Sequence, residues 1–147
     1  DPRRFDALIQ IARQREDAAA AGLAEAAARQ AATAQRLAEL AGYEQDYLAL
    51  EPSTTGGVQA LARHSAFLAR LREAQVFQQQ RTLDAQRAAE TQRGLWLTAH
   101  HEVKKLHSLQ AQAQQQQHAQ QERRQQREQD DRTISQHRHR STPGLAA

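Results

Sequence analysis

Seven histidines are the side chains of this chain best suited to chemistry, because an imidazole can ligate a metal or move a proton near neutral pH. Ligands on a helix share a face only at i,i+3 or i,i+4 spacing. His100 and His107 stand two turns apart, and His137 and His139 point about 200° away from each other on a helix. They read, with His101, as solvated side chains, and no metal is expected. Serines are few, no Gly-x-Ser-x-Gly elbow occurs, and Gly56-Gly57 lacks the Lys-Ser/Thr that follows a phosphate-cradling loop. The chain has no cysteine, which excludes thiolate chemistry and a disulfide framework. Neither a catalytic residue nor a cofactor is expected, so the chain does not read as an enzyme.

Six arginines near the end, Arg123, Arg124, Arg127, Arg132, Arg138 and Arg140, raise nucleic-acid binding as a second possibility. Glu122, Glu128, Asp130 and Asp131 interleave with them and break any continuous cationic stripe, on which such affinity depends. No nucleic-acid partner is expected. The formal charge of +3 over 147 residues is a small excess, and no window is apolar enough to cross a membrane, so direct membrane insertion is not expected either.

The elements that would carry these side chains are helices. Aromatic residues make up 4% of the chain and alanine supplies most of its apolar fraction, too little bulk for a thick globular core. The break at Pro52-Ser53-Thr54-Thr55-Gly56-Gly57 parts two long helical stretches, since proline cannot extend a helix and glycine admits angles closed to other residues. The expected fold is all-α: a long antiparallel two-helix coiled-coil hairpin with an extended second helix, in one domain. Helix 1 is expected over 1–51, the turn over 52–57, helix 2 over 58–140 and a disordered tail over 141–147. Asp1-Pro2 is a plausible helix start.

A 4,3 alternation in the first helix runs through Phe5, Ile9, Ala12, Glu16, Ala19, Leu23, Ala26, Gln30, Thr33, Leu37, Leu40, Glu44 and Tyr47. In the second it runs through Leu61, Leu68, Leu71, Ala85, Ala89, Trp96, Ala99, Val103, Leu106 and Ala113, interrupted by His64, Gln75, Gln78, Thr82, Gln92 and Gln110. Helices of about 70 Å and about 120 Å cannot match in reach. Folding back at residue 55 sets the beginning of helix 1 opposite Leu106 and leaves 107–140, a glutamine-rich stretch, as an unpaired overhang. The same construction sets Tyr43 near Phe67 and Leu40 near Leu71. Tyr43, Tyr47, Phe67 and Phe77 gather around the bend. Leu40 and Tyr47 lie on the first seam with Tyr43 one position off it, and Leu71 lies on the second with Phe67 and Ala74 to its side; their combined width exceeds one helix contact, which predicts an exposed apolar docking surface.

The spacing Leu37-x-x-Leu40-x-x-Tyr43-x-x-x-Tyr47, the short turn, Phe67-x-x-x-Leu71-x-x-Ala74, and Trp96 followed by Glu102-Val103-Lys104-Lys105-Leu106 resemble the FliJ family of the bacterial flagellar export apparatus. The likeness extends from about Phe5 to about Arg132 and includes the early Arg13–Ala19 stretch. It implies a cytoplasmic coiled-coil stalk, peripherally associated with the inner-membrane export apparatus, that binds and stimulates a hexameric export ATPase. It also implies docking on the cytoplasmic domain of the export-gate membrane protein and on late-cargo export chaperones. By position, gate docking falls to Leu40, Tyr43, Tyr47, Phe67, Leu71 and Ala74, with departures from some relatives at Arg36 and Gln78. Arg3, Arg4, Arg123, Arg124 and Arg127 are the candidate ATPase contacts. The alternative is the equivalent stalk of a virulence-type type III secretion system.

Overall fold

A computed structural model describes residues 3–50 and 56–141. The expected helix start at Asp1-Pro2, the turn residues 51–55 and the tail residues 142–147 lie outside them. The fold is an all-α two-helix hairpin: α1 spans Arg3–Ala49 and α2 spans Gly57–Ser141. No proline interrupts either helix, and straight-chain residues and alanine dominate both, so the backbone is helical by propensity before any packing is added.

The two glycines at the start of α2, Gly56 just before it and Gly57 its first residue, do different things. Gly57 adopts φ +63°, a left-handed backbone that side chains with a Cβ rarely adopt. A Cβ on Gly56 would instead lie 2.5 Å from the Cβ of Ala60, so its absence is a matter of room. At the other helix end, the amide of Leu50 donates to the carbonyl of Tyr47 at 3.2 Å and tightens the last turn of α1.

The chain divides into two compact units, Gln14–His100 and, among the described residues, 3–13 with 101–141. In the larger unit the bonded pairs run in opposite directions: Glu16 with His100, Thr33 with Gln78 and Thr82, Leu40 with Gln75, Glu44 with Arg72. This is an antiparallel coiled coil. Every α1 position of the expected 4,3 alternation is turned from solvent in its unit, and so is every α2 position except Leu61.

Leu61 is exposed and Ala60 turns inward in its place. The pairing explains why. Thr33 with Gln78 and Leu40 with Gln75 place the residue opposite Ala49 near Ala66, so α2 begins about two turns beyond the end of α1. Val58 and Leu61 sit on those two turns and are solvated.

Alanines keep this seam thin. Ala12, Ala26 and Ala89 are buried beside Ile9, Leu40, Leu71 and Val103, each within its own unit. Small side chains bury little area, which makes the polar layers the specific part of the seam. Gln78 is itself buried and donates to the Thr33 carbonyl at 3.1 Å, and Thr82 donates to the same oxygen at 3.3 Å. The one hydroxyl proton of Thr82 is shared between that oxygen and the nearer Gln78 carbonyl at 2.8 Å, a three-centre bond.

In the smaller unit, Phe5, Ile9 and Ala12 turn toward Val103, Leu106 and Ala113. Arg13 donates to His107 Nε2 at 3.1 Å, and Gln110 donates to Asp6 at 2.7 Å. Contacts with α1 therefore continue past His107, the expected start of the overhang. From Gln114 to Arg140 every side chain of α2 is exposed. Its last turn carries Arg138, His139 and Arg140, whose charge suits the negative end of the helix dipole.

Candidate docking surface

The expected docking residues all belong to the larger unit, and the helices give them unequal roles. Leu40 and Leu71 are seam residues with 7% and 8% of their surface exposed, so they have little left to offer a partner. They support the surface from beneath. Tyr43 and Phe67 are 52% and 41% exposed, and Ala74 is exposed as well.

Tyr47 is half-buried, with His64 stacked on it at 4.5 Å and 18° and Phe67 tilted against it at 4.4 Å and 42°. The ring partner of Phe67 among the described residues is thus Tyr47, where Tyr43 was expected. The same axial offset of α2 is the cause: it moves each α2 residue toward the bend relative to α1. Tyr43 is left with an open face.

In the 4,3 frame Tyr43 and Leu50 project from one edge of the α1 seam, and Phe67 and Ala74 from the matching edge of the α2 seam. In an antiparallel pair those edges lie on one flank. Phe77 stands beside that edge of α2, 66% exposed, and the sequence-based site omits it. Its guanidinium neighbour Arg81 lies 5.9 Å from the ring centre. The i,i+3 step from Ala74 to Phe77 was the available signal.

The charges beneath this region are paired across the seam. Arg72 Nε donates to Glu44 at 3.1 Å, and hydrogen bonds from Gln75, then from Arg72, hold the Glu44 carboxyl below its ordinary range. Arg36 pairs with Glu39 at 3.2 Å along α1. Further along the unit, His100 Nδ1 donates to Glu16 at 3.2 Å while its ring stacks on Trp96 at 4.8 Å and 11°. His64, His100 and His107 therefore hold positions in or beside the seams. The reading of His100 as solvated is corrected, since it is half-buried and bonds Glu16, whereas His107 is exposed as expected and meets Arg13 at the surface; spacing rules test for a metal and miss a histidine that bonds across two helices.

The candidate ATPase contacts belong to the smaller unit. Arg3 and Arg4 are exposed at the start of α1, and Arg123, Arg124 and Arg127 are exposed on α2. Asp6 pairs with Gln110, so the α2 arginines lie at least ten residues, about 15 Å, beyond the α2 level of Arg3. The fold does not gather the two groups.

Among the described residues no group of three His, Cys, Asp or Glu side chains could hold a metal ion, and none of the helices is long and apolar enough to cross a membrane. The larger unit's groove of about 350 Å³, lined by Arg29, Ala32, Thr33, Arg81, Asp84 and Ala85, is open to solvent along the hairpin flank.

No curated protein and no solved structure matches the chain significantly. The model of one protein family, described as the flagellar FliJ protein, matches residues 2–142. With a match of that extent over a two-helix hairpin, the chain belongs to the FliJ family and is a component of flagellar protein export.

Proposed function

We propose that this chain is a catalytically inert stalk that binds and stimulates the hexameric flagellar export ATPase, and that its aromatic flank docks on the cytoplasmic domain of the export gate and on late-cargo chaperones. The observation that supports it best is the contrast along α2 between positions turned toward α1 up to Ala113 and the uniformly exposed stretch Gln114–Arg140, set beside the family match. A helix with polar side chains all round stays dissolved while free and can order against the walls of a ring. Arg3, Arg4, Arg123, Arg124 and Arg127 are the side chains assigned to that contact. Tyr43 and Phe67, braced by Tyr47, Leu40 and Leu71 and flanked by Ala74, are assigned to the gate. On this reading the chain works in the cytoplasm, peripherally associated with the inner-membrane apparatus.

Phosphate release by the purified cognate ATPase, with and without the chain, tests the first half. The full chain raises the rate, and a chain ending at Ala113, which keeps the seam, does not. An equal effect from both chains would remove the stalk reading. Capture of the export-gate cytoplasmic domain tests the second half: Tyr43→Ala and Phe67→Ala weaken it, and unchanged capture by both variants rejects the assigned flank.

A further inference from the structure

One stripe of α2 in the larger unit combines charge and apolar bulk in a way the seam does not need. Its residues, at alternating steps of four and three, are Arg63, Phe67, Arg70, Ala74, Phe77 and Arg81. All six are exposed, so the stripe is a surface some 27 Å long on which three guanidinium groups are interspersed with three apolar side chains. Three arginines of the larger unit have an acid partner, Arg29 with Glu25, Arg36 with Glu39 and Arg72 with Glu44, whereas Arg15, Arg87 and Arg93 have none among the described residues but stand without this run of rings. Among the described residues no carboxylate lies within ion-pairing distance of Arg63, Arg70 or Arg81, and the stripe itself carries no acid before Asp84, which Gln80 holds at 3.1 Å. Across the flank, α1 offers Tyr43 and Leu50 as apolar surface with Asp46 as the nearest uncompensated acid.

We infer that this flank receives an amphipathic helix with an acidic rim, its apolar side chains seated on Phe67, Ala74, Phe77 and Tyr43 and its carboxylates on Arg63, Arg70 and Arg81. The inference deepens the gate-docking reading and rests on it for the biological source of that helix. The spacing argues for a helical partner, because the cations and rings repeat at the pitch of the helix that carries them, the repeat a helix laid alongside also presents. Charge complementarity argues for acid. Arginine suits both halves of such a contact, since it forks onto carboxylates and stacks on rings, as Arg81 does over Phe77. A single-stranded nucleic acid also favours cations beside rings, yet it needs open ring faces, and here Phe67 lies against Tyr47 while Arg81 covers one face of Phe77.

The full chain is titrated by fluorescence anisotropy with three labelled probes: a designed helix of about 20 residues with a leucine face and a glutamate rim, the same helix with a lysine rim, and an oligothymidine of similar length. The glutamate helix binds, the lysine helix binds at least about tenfold more weakly, and the triple variant R63E/R70E/R81E exchanges the two preferences, as rim charges of modest individual strength predict when summed. Phe77→Ala, an exposed site with little part in stability, lowers affinity for the glutamate helix without changing the preference. Equal binding of both helices, or tighter binding of oligothymidine that displaces the glutamate helix, overturns the inference. Capture of the export-gate domain separates the two readings: capture that survives R63E/R70E/R81E rejects the acidic-rim inference and leaves gate docking standing, whereas no capture by the native chain rejects gate docking and leaves the titration to decide the rim.

Discussion

Glutamine has two fates on α2. At Gln75, Gln78, Gln92 and Gln110 it turns toward α1, where Gln75 and Gln78 donate to the Leu40 and Thr33 carbonyls, Gln92 lies over Gly22 and Gln110 bonds Asp6. At Gln114–Gln117, Gln120, Gln121, Gln125 and Gln126 the same side chain is exposed. Residue type does not decide between these outcomes. Position in the 4,3 frame does, together with an acceptor on the facing helix. A polar seam residue so placed contributes direction and register, and one on a solvated helix contributes helix propensity alone.

The largest test of that contrast is in the apolar layer. Leu40→Ala and Leu71→Ala each cost about 2–4 kcal/mol in thermal unfolding followed by far-UV circular dichroism, whereas Ile134→Ala stays within about 0.5 kcal/mol. Equal losses at the three sites would erase the distinction between seam and exposed helix. Next comes the glutamine pair itself: Gln78→Ala costs about 1–2 kcal/mol, at the lower end because Thr82 still donates to the Thr33 carbonyl, while Gln116→Ala is neutral within about 0.5 kcal/mol.

Smaller effects separate the glycines. Gly94 has open space around its missing Cβ, so Gly94→Ala stabilises by about 0.5–1 kcal/mol. At Gly22 the new Cβ would lie 2.7 Å from Gln92 Oε1, so Gly22→Ala stabilises less, and the double variant Gly22→Ala with Gln92→Ala recovers the difference. The smallest effect is acidic. Hydrogen bonds from Gln75 and Arg72 hold the Glu44 carboxyl below its ordinary range, so its contribution is complete above the ordinary carboxylate range and is lost as pH falls through the depressed folded value. Glu44→Gln makes the melting temperature fall less steeply below about pH 4, against an unchanged slope for an exposed control, Glu128→Gln.

The seams were legible because hydrophobic spacing survives dilution by alanine. All thirteen expected α1 positions face inward, among them Glu16, Gln30 and Glu44, which no hydrophobicity scale would choose singly. The axial offset was not legible. Counting outward from the bend assumes that both helices stop at one level, and here α2 starts about two turns past Ala49. Within the larger unit that one offset moved Phe67 from Tyr43 to Tyr47 and exposed Leu61. The docking flank was half legible: ring type and spacing marked Tyr43 and Phe67 and put Phe77 near the bend, and the 4,3 frame put Leu40 and Leu71 in the seams, but burial was needed to show how little of Leu40 and Leu71 is left for a partner and how open Phe77 is.

An alanine-lined pair of helices has no intrinsic resistance to creeping, because each small side chain fits as well beside the next one along. The Thr33 oxygen acts as a rivet: two donors from α2 converge on it, and a slip of one heptad would strip both away at once. Shear applied along α2 in the larger unit is consequently handed to α1 through that layer instead of being dissipated by sliding.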